Sequence, residues 1–368
     1  MAQTYDFSDL KKIINLNSYT KNKIGVDENG KIFANWMQKL GYETITHQRE
    51  KIGNHLLFKS AHDKGEKILL LGHLDTVFPP MSFEHFSEDD DWIYGPGVCD
   101  MKGGNIVALE ALRNIHQKFG NIKNIDMLLV SDEETGSDDS KELTLSLAKD
   151  YDYCLVYEAA GKDGEVVTGR KGVGTFFIDI KGKASHAGNE YTKGINANLE
   201  AAHKLIALTS LTDLDKGTTV NVGKLEGGIG ANTISPHAKL TVELRYTSSY
   251  ERDRVLKGFE KVIQNSHVSG IESALSGGIQ RDVMSENEKQ LQFLKKIEAI
   301  TQEKIPTEKR GGVSDANHMA SQGVITLDGF GPFGDGDHTI HERANKESLI
   351  KRIALSTQIF TAFMEKTL

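Results

Sequence analysis

Cysteine is nearly absent. Cys99 and Cys154 are the only two in 368 residues, too few and too far apart for a disulfide framework or a thiolate metal site. Any metal bound here must therefore rely on His, Asp and Glu. Long apolar runs are missing too, since no stretch approaches the ~20 residues of a membrane span. Lysine and arginine never cluster densely and the formal charge is -8, so no cationic face is offered to nucleic acid. Residues 1–6 contain neither a basic region nor an apolar core, so no secretory leader is expected and the expected location is cytoplasmic. No internal repeat or low-complexity tract stands out. What remains, 26% charged and 38% hydrophobic residues, describes a soluble globular protein, and 368 residues exceed what one core usually serves, so two domains are expected.

The most informative stretch is Leu69-Leu70-Leu71-Gly72-His73-Leu74-Asp75-Thr76-Val77. It is an apolar strand ending in a histidine, with a carboxylate two residues on. Side chains alternate along extended chain, so His73 and Asp75 face the same way, and Asp75 can hold one imidazole nitrogen while the other takes a metal. Strand ends in open α/β sheets are where ligands bind. Two further buried-strand patterns end in carboxylates: 126–131 runs into Asp132-Glu133-Glu134, and 153–157 into Glu158. The glycine-rich turn Tyr94-Gly95-Pro96-Gly97-Val98-Cys99-Asp100 leads into a helical pattern over 101–119, where Asp100 taken alone reads as an N-cap. Helical spacing also marks 9–16 and 31–41, both packing helices, and a short strand fits 55–58.

From about residue 172 the texture changes. Strands at 175–182, 219–222 and 239–245 and helices at 196–208 and 251–264 make a strand-helix-strand-strand-helix-strand unit. The expected fold class is α/β: a three-layer mixed-sheet catalytic domain over 1–173 and 282–368, with an inserted α+β, ferredoxin-like domain over 174–281. After it come a helix at 289–301, a turn at Arg310-Gly311-Gly312-Val313-Ser314-Asp315, a strand at 324–327 and the loop Gly334-Asp335-Gly336-Asp337-His338-Thr339-Ile340-His341-Glu342 before a last helix.

Three consecutive carboxylates are expensive in a dry pocket unless a cation offsets them. A pair of borderline cations about 3.5–4 Å apart needs a bridging ligand, and Asp100 is the natural one. His73, Glu158, Glu134 and a histidine of the last loop would then complete the set, leaving Glu133 to act as base.

These residues resemble the co-catalytic zinc amidohydrolases and peptidases, a family that includes glutamate carboxypeptidase, aminoacylase, tripeptide aminopeptidase and succinyl-diaminopimelate desuccinylase. The matching stretches are 72–77, 95–104, 132–137, Ser185-His186-Ala187-Gly188, 312–315 and the His338 loop, in order along nearly the whole chain. The resemblance implies one Zn2+ on His73, Asp100 and Glu158 and another on Asp100, Glu134 and His338, with Co2+ or Mn2+ as substitutes and Glu133 as general base. His338 has the family's glutamate four residues later, Glu342; His341 lacks it and is the alternative, and His318 reads as an ordinary helix histidine. The resemblance also implies that His186 of the inserted domain stabilises the oxyanion in a partner subunit, which makes a homodimer through that domain the expected assembly. Asn232 and Arg245 match its substrate-binding residues, and Arg310 can add a second cation for a substrate carboxylate. Pro96 and Glu243 depart from the family's usual Arg and Asp.

The activity so implied is that of a zinc-dependent exopeptidase of the carboxypeptidase type, acting on a small peptide or N-acyl amino acid at an amide next to a free carboxylate and releasing a C-terminal glutamate. Dipeptidase, N-acyl-amino-acid deacylase and desuccinylase are alternatives in the same chemistry. A non-catalytic metal- or peptide-binding homologue would be expected to lack the bridge or the base, and both are here.

Overall fold

The computed structural model describes residues 5–368; residues 1–4, part of the stretch read above for a leader, lie outside the described residues. The chain forms two compact units. The first comprises the chain through Gly169, Glu286–Arg310 and Ser314–Leu368; the second is Arg170–Ser285 with Gly311–Val313.

The first unit is built on a six-stranded sheet. Its order is Glu43–His47, His55–Lys59, Ile125–Val130, Ile68–His73, Tyr153–Val156, Ile325–Leu327. The last four strands run parallel to one another, and the first two are antiparallel additions, so the sheet is mixed. Alternate residues of the central strands face opposite sides. Ile68 and Leu70 join a large core with the helices Lys23–Lys39, Lys102–Phe119, Glu288–Thr301 and Lys346–Met364, while Leu69 and Leu71 are equally buried on the other side. The short helix Ala316–Ser321 packs on the Tyr153–Val156 and Ile325–Leu327 strands. Both faces are covered, which is why these strands read as unbroken apolar runs.

A second, small sheet orders the loops. It aligns Gly334–Asp335, Arg343–Asn345, Trp92–Tyr94 and Ser87–Glu88. Tyr94 pairs with Arg343, so the turn toward Asp100 and the loop carrying His338 start from neighbouring strands. Sequence periodicity misses this sheet because its strands are two or three residues long.

The helix Lys23–Lys39 begins eight residues before the expected 31, capped by Asn22. Gly25, Asn29 and Gly30 look like helix breakers but are buried, and a Cβ on Gly25 would lie 1.9 Å from the Asn17 carbonyl oxygen.

The second unit is an antiparallel sheet ordered Thr219–Gly227, His237–Tyr246, Gly172–Lys181, Glu272–Arg281, with helices Ala197–Thr209 and Ser249–Gln264. Counted along the chain the strand order is second, third, first, fourth, the ferredoxin-like β-α-β-β-α-β arrangement. Inward residues Phe176, Ile178, Leu240, Val242, Leu244 and Phe259 form its core. The unit extends beyond the expected 174–281 because Arg170 and Met284 exchange backbone hydrogen bonds at 2.9 and 3.1 Å. The carbonyls of Gly311 and Gly312 accept from Arg245 and Arg170, which attaches that glycine turn to the same unit.

Gly104, in the first turn of Lys102–Phe119, packs directly on the strand that leads to Glu158: a Cβ there would lie 1.8 Å from the Tyr157 carbonyl oxygen. Alanine favours helix by about 1 kcal/mol over glycine, but overpacking against backbone costs about 1–3 kcal/mol. Gly104→Ala is therefore expected to lower the denaturation midpoint measured by circular dichroism; an unchanged or raised midpoint would show that helix and strand separate freely here.

Candidate metal centre

His73 closes the Ile68–His73 strand and is buried. Its Nδ1 lies 3.0 Å from the backbone carbonyl oxygen of Asp75, a contact that puts a proton on Nδ1 and turns Nε2 toward the site. Side-chain alternation predicts this contact for the Asp75 carboxylate instead. That carboxylate stands 3.5 Å away, and its nearer partner is the Thr20 hydroxyl, which donates at 2.7 Å. The backbone amides of Glu133 and Glu134 also donate to it, at 3.3 Å each. One fully buried carboxylate therefore joins the histidine strand to the acidic loop.

Asp100 does not cap the helix after it. Met101 occupies the cap position and makes no side-chain cap hydrogen bond. The carboxylate is drawn instead to two imidazoles: Oδ1 is 3.0 Å from His73 Nε2 and Oδ2 is 3.3 Å from His338 Nε2. His338 Nε2 also lies 3.1 Å from Glu134, and His73 Nε2 lies 3.7 Å from Glu158. Two triads result, His73–Asp100–Glu158 and His338–Asp100–Glu134, sharing Asp100. Donor atoms of His73, Asp100 and Glu134 also fall within 4.8 Å of one another. Glu133 is buried on the short turn Glu133–Thr135, near enough for its charge to raise Glu158.

The electrostatics are those of a crowded anionic pocket. Burial and the charge of Asp100 push Glu134 up to about 7 and hold Glu158 well above the carboxylate range. Burial pushes Asp100 the same way, but hydrogen bonds with His338 and His73 outweigh it and hold Asp100 low. His73 is pulled down by burial and lifted, on balance well above the usual value, by Asp100 and Asp75. Hydrogen bonds to Asp100 and Glu134 raise His338 to about 11. Imidazole nitrogens and carboxylate oxygens around a carboxylate with one oxygen toward each histidine form a donor set that fits a pair of divalent cations.

Of the other two histidines weighed, His341 is exposed, and its ring makes no hydrogen bond or ion pair among the described residues. His318 is buried in Ala316–Ser321, 3.8 Å from Asp315.

Several supporting residues escape sequence reasoning. Glu342 is almost completely buried, and its carboxylate accepts the amides of Gly97 and Cys99 at 2.9 Å and of Asp100 at 3.0 Å. Burial pushes it up to about 8 against the pull of these amides. A bond from an amide to an ionised carboxylate contributes about 1.5–3 kcal/mol, so the three offset part, but not all, of the several kcal/mol that burying the charge costs. In the sequence Glu342 was only a spacing mark after His338; its partners lie more than 240 residues away, and they are backbone. Asn105 donates to the His73 carbonyl at 2.7 Å, and buried Lys102 donates to the carbonyls of Ile13 and Leu16. Ser137, after the acidic run, donates to Asp315 at 2.5 Å, which gives the 312–315 motif an anchoring contact to that loop.

Arg310 donates to Glu308 at 2.8 Å and to the carbonyl of Ala159, next to Glu158, at 2.9 Å. In the second unit, the Ala187 amide donates to the Asn232 carbonyl at 2.9 Å, bringing the His186 and Asn232 loops together. Arg245 is held there by Glu243 at 2.8 and 3.2 Å.

The profile of peptidase family M20/M25/M40 matches residues 69–362. Carboxypeptidase G2 of Pseudomonas sp. (strain RS-16) is 28% identical over 342 residues, 90% of this chain and 82% of that protein. Succinyl-diaminopimelate desuccinylase of Sulfurimonas denitrificans is 26% identical, over 84% of this chain and 87% of its own. Among solved structures, aminopeptidase PepT from Bacillus cereus superposes with a TM-score of 0.76 at 23% identity, over 96% of both chains. A match that spans the His73 strand, the acidic loop and the His338 hairpin makes the chain a member of peptidase family M20/M25/M40.

Proposed function

We propose that this hydrolase is a zinc-dependent exopeptidase of the glutamate carboxypeptidase type, cleaving an amide bond adjacent to a free carboxylate. The observation that carries the reading is the pair of triads sharing Asp100, with Glu133 buried beside them. Bound divalent cations, Zn2+ with Co2+ or Mn2+ as substitutes, would be held by His73, Asp100 and Glu158 and by Asp100, Glu134 and His338, and would supply Lewis acidity. The protein's own groups do the rest. Glu133 takes the proton from the attacking water and returns it to the leaving nitrogen. Asp75 fixes the backbone of Glu133 and Glu134, so base and ligand keep their separation.

Preference for a carboxylate next to the scissile bond is supported by Arg310, whose charge is felt at Asp337 beside His338, and by Arg245 and Asn232 on the second unit. Both arginines are held by glutamates, so a substrate carboxylate must compete with Glu308 and Glu243 for them. Dipeptidase, N-acyl-amino-acid deacylase and desuccinylase activities would use the same centre with a different substrate grip.

A homodimer through the second unit completes the reading, with His186 serving the other copy. Its Thr219–Gly227 strand is a sheet edge carrying exposed Leu225, and Leu199 and Ile206 are exposed one above the other on Ala197–Thr209. An open edge beside apolar side chains supports pairing with a second copy.

Asp100→Ala should lose both metals, because a bridge serves each site, and His338→Ala should lose one, while His341→Ala should keep its content near wild type. Metal analysis of the purified variants checks this, and two bound metals in Asp100→Ala would refute the bridge.

Glu133→Gln keeps shape but cannot accept a proton, so kcat should fall by roughly 10²-fold or more with metal retained. The same assay on C-terminal glutamate, dipeptide, N-acetyl and N-succinyl substrates tests the substrate class. No hydrolysis of the glutamate peptides by the zinc-loaded protein would exclude the leading reading.

Mixing a His186→Ala chain with a Glu133→Gln chain should restore activity through one intact composite site per heterodimer. If subunits exchange and the mixture stays as inactive as its parents, His186 does not act across an interface.

A further inference from the structure

His186 sits on an exposed turn of the second unit that is fastened from both sides. The Ile234 amide donates to the Ser185 carbonyl at 3.0 Å, the Ala187 amide to Asn232, and the Glu190 amide to the His186 carbonyl at 2.8 Å. Within this turn the chain folds back on the ring. The backbone amides of Gly188 and Asn189 both donate to His186 Nδ1, at 3.2 and 3.1 Å. The ring makes no other hydrogen bond among the described residues.

A neutral imidazole has one N–H and one lone pair, and a backbone amide can only donate. Two amides aimed at Nδ1 therefore require the lone pair there and the proton on Nε2. Moving the proton to Nδ1 would set three N–H groups against one another and leave Nε2 an acceptor. We propose that the amides of Gly188 and Asn189 lock neutral His186 in its Nε2–H tautomer, so that it acts solely as a hydrogen-bond donor toward developing negative charge and never as a base. The oxyanion part rests on the function proposed above; the tautomer rests on the turn alone. The Gly-Asn pair after His186-Ala187 thereby gains a positioning role: its backbone, not its side chains, sets which ring nitrogen carries the proton.

The protein as it stands provides the test. In long-range nitrogen–proton spectra of 15N-histidine-labelled protein at a pH where the ring is neutral, with the His186 signals identified by their loss in His186→Ala, Nε2 should appear protonated and Nδ1 unprotonated. A ring protonated at Nδ1 overturns the proposal. Kinetics give a second readout. His186→Ala should lower kcat by roughly 10²–10³-fold, the usual loss for an oxyanion donor. His186→Gln, which can present an amide N–H near the Nε2 position, should recover at least about tenfold over His186→Ala, whereas His186→Asn, which reaches only the Nδ1 position, should not. Asn recovering as well as Gln also overturns the proposal. An Nε2–H ring in a protein whose His186→Ala variant is fully active would leave the lock standing and refute the oxyanion reading instead.

Discussion

Repulsion between buried carboxylates is the constraint on which the first unit depends. Asp100, Glu134 and Glu158 crowd two imidazoles, and Glu133 stands close by. Two like charges about 4 Å apart repel by about 4 kcal/mol at an effective dielectric near 20, more than one ordinary hydrogen bond returns. Left to themselves such side chains would swing toward water. What prevents it is a backbone held at two points by carboxylates that are not in the cluster: Asp75 on the amides of the acidic loop, and Glu342 on the amides that lead to Asp100. The protein stabilises one group of anions by spending a second group on its own backbone dipoles.

His338 shows the same compromise from another side. Its backbone is left-handed, with φ of 62°, a conformation that costs a non-glycine residue about 1–2 kcal/mol. Bonds to Asp100 and Glu134 accompany that conformation, and the ring of His341, three residues on, has no comparable contact among the described residues. Strain of this kind is tolerated where surrounding contacts over-determine it.

The side chains in the cluster were legible in the sequence because each ends a strand or turn whose pattern is itself legible. His73, Glu134 and Glu158 follow apolar runs, and glycines flag the turn to Asp100. The strand and helix order of the second unit was readable for the same reason, as alternation and helical spacing switch cleanly there. Other features left no local trace. Glu342 and Asp75 act on backbone amides, which every residue has, so no residue type advertises the contact. The small sheet pairs Trp92–Tyr94 with Arg343–Asn345, strands too short to show a period. Asp100 read alone as a helix cap, because capping is a local rule and the two imidazoles that override it arrive from 27 residues before and 238 after.

The hydrogen-bonded pair Arg170 and Met284 has an evolutionary side. These residues are the doorway of the second unit, and they stand side by side. A segment of more than a hundred residues thus enters and leaves through a gap no wider than one rung of a β-ladder. A tight turn could bridge that gap, so all of the unit but Gly311–Val313 can be gained, lost or exchanged as a cassette without stretching the strands that lead to His73 and Glu158.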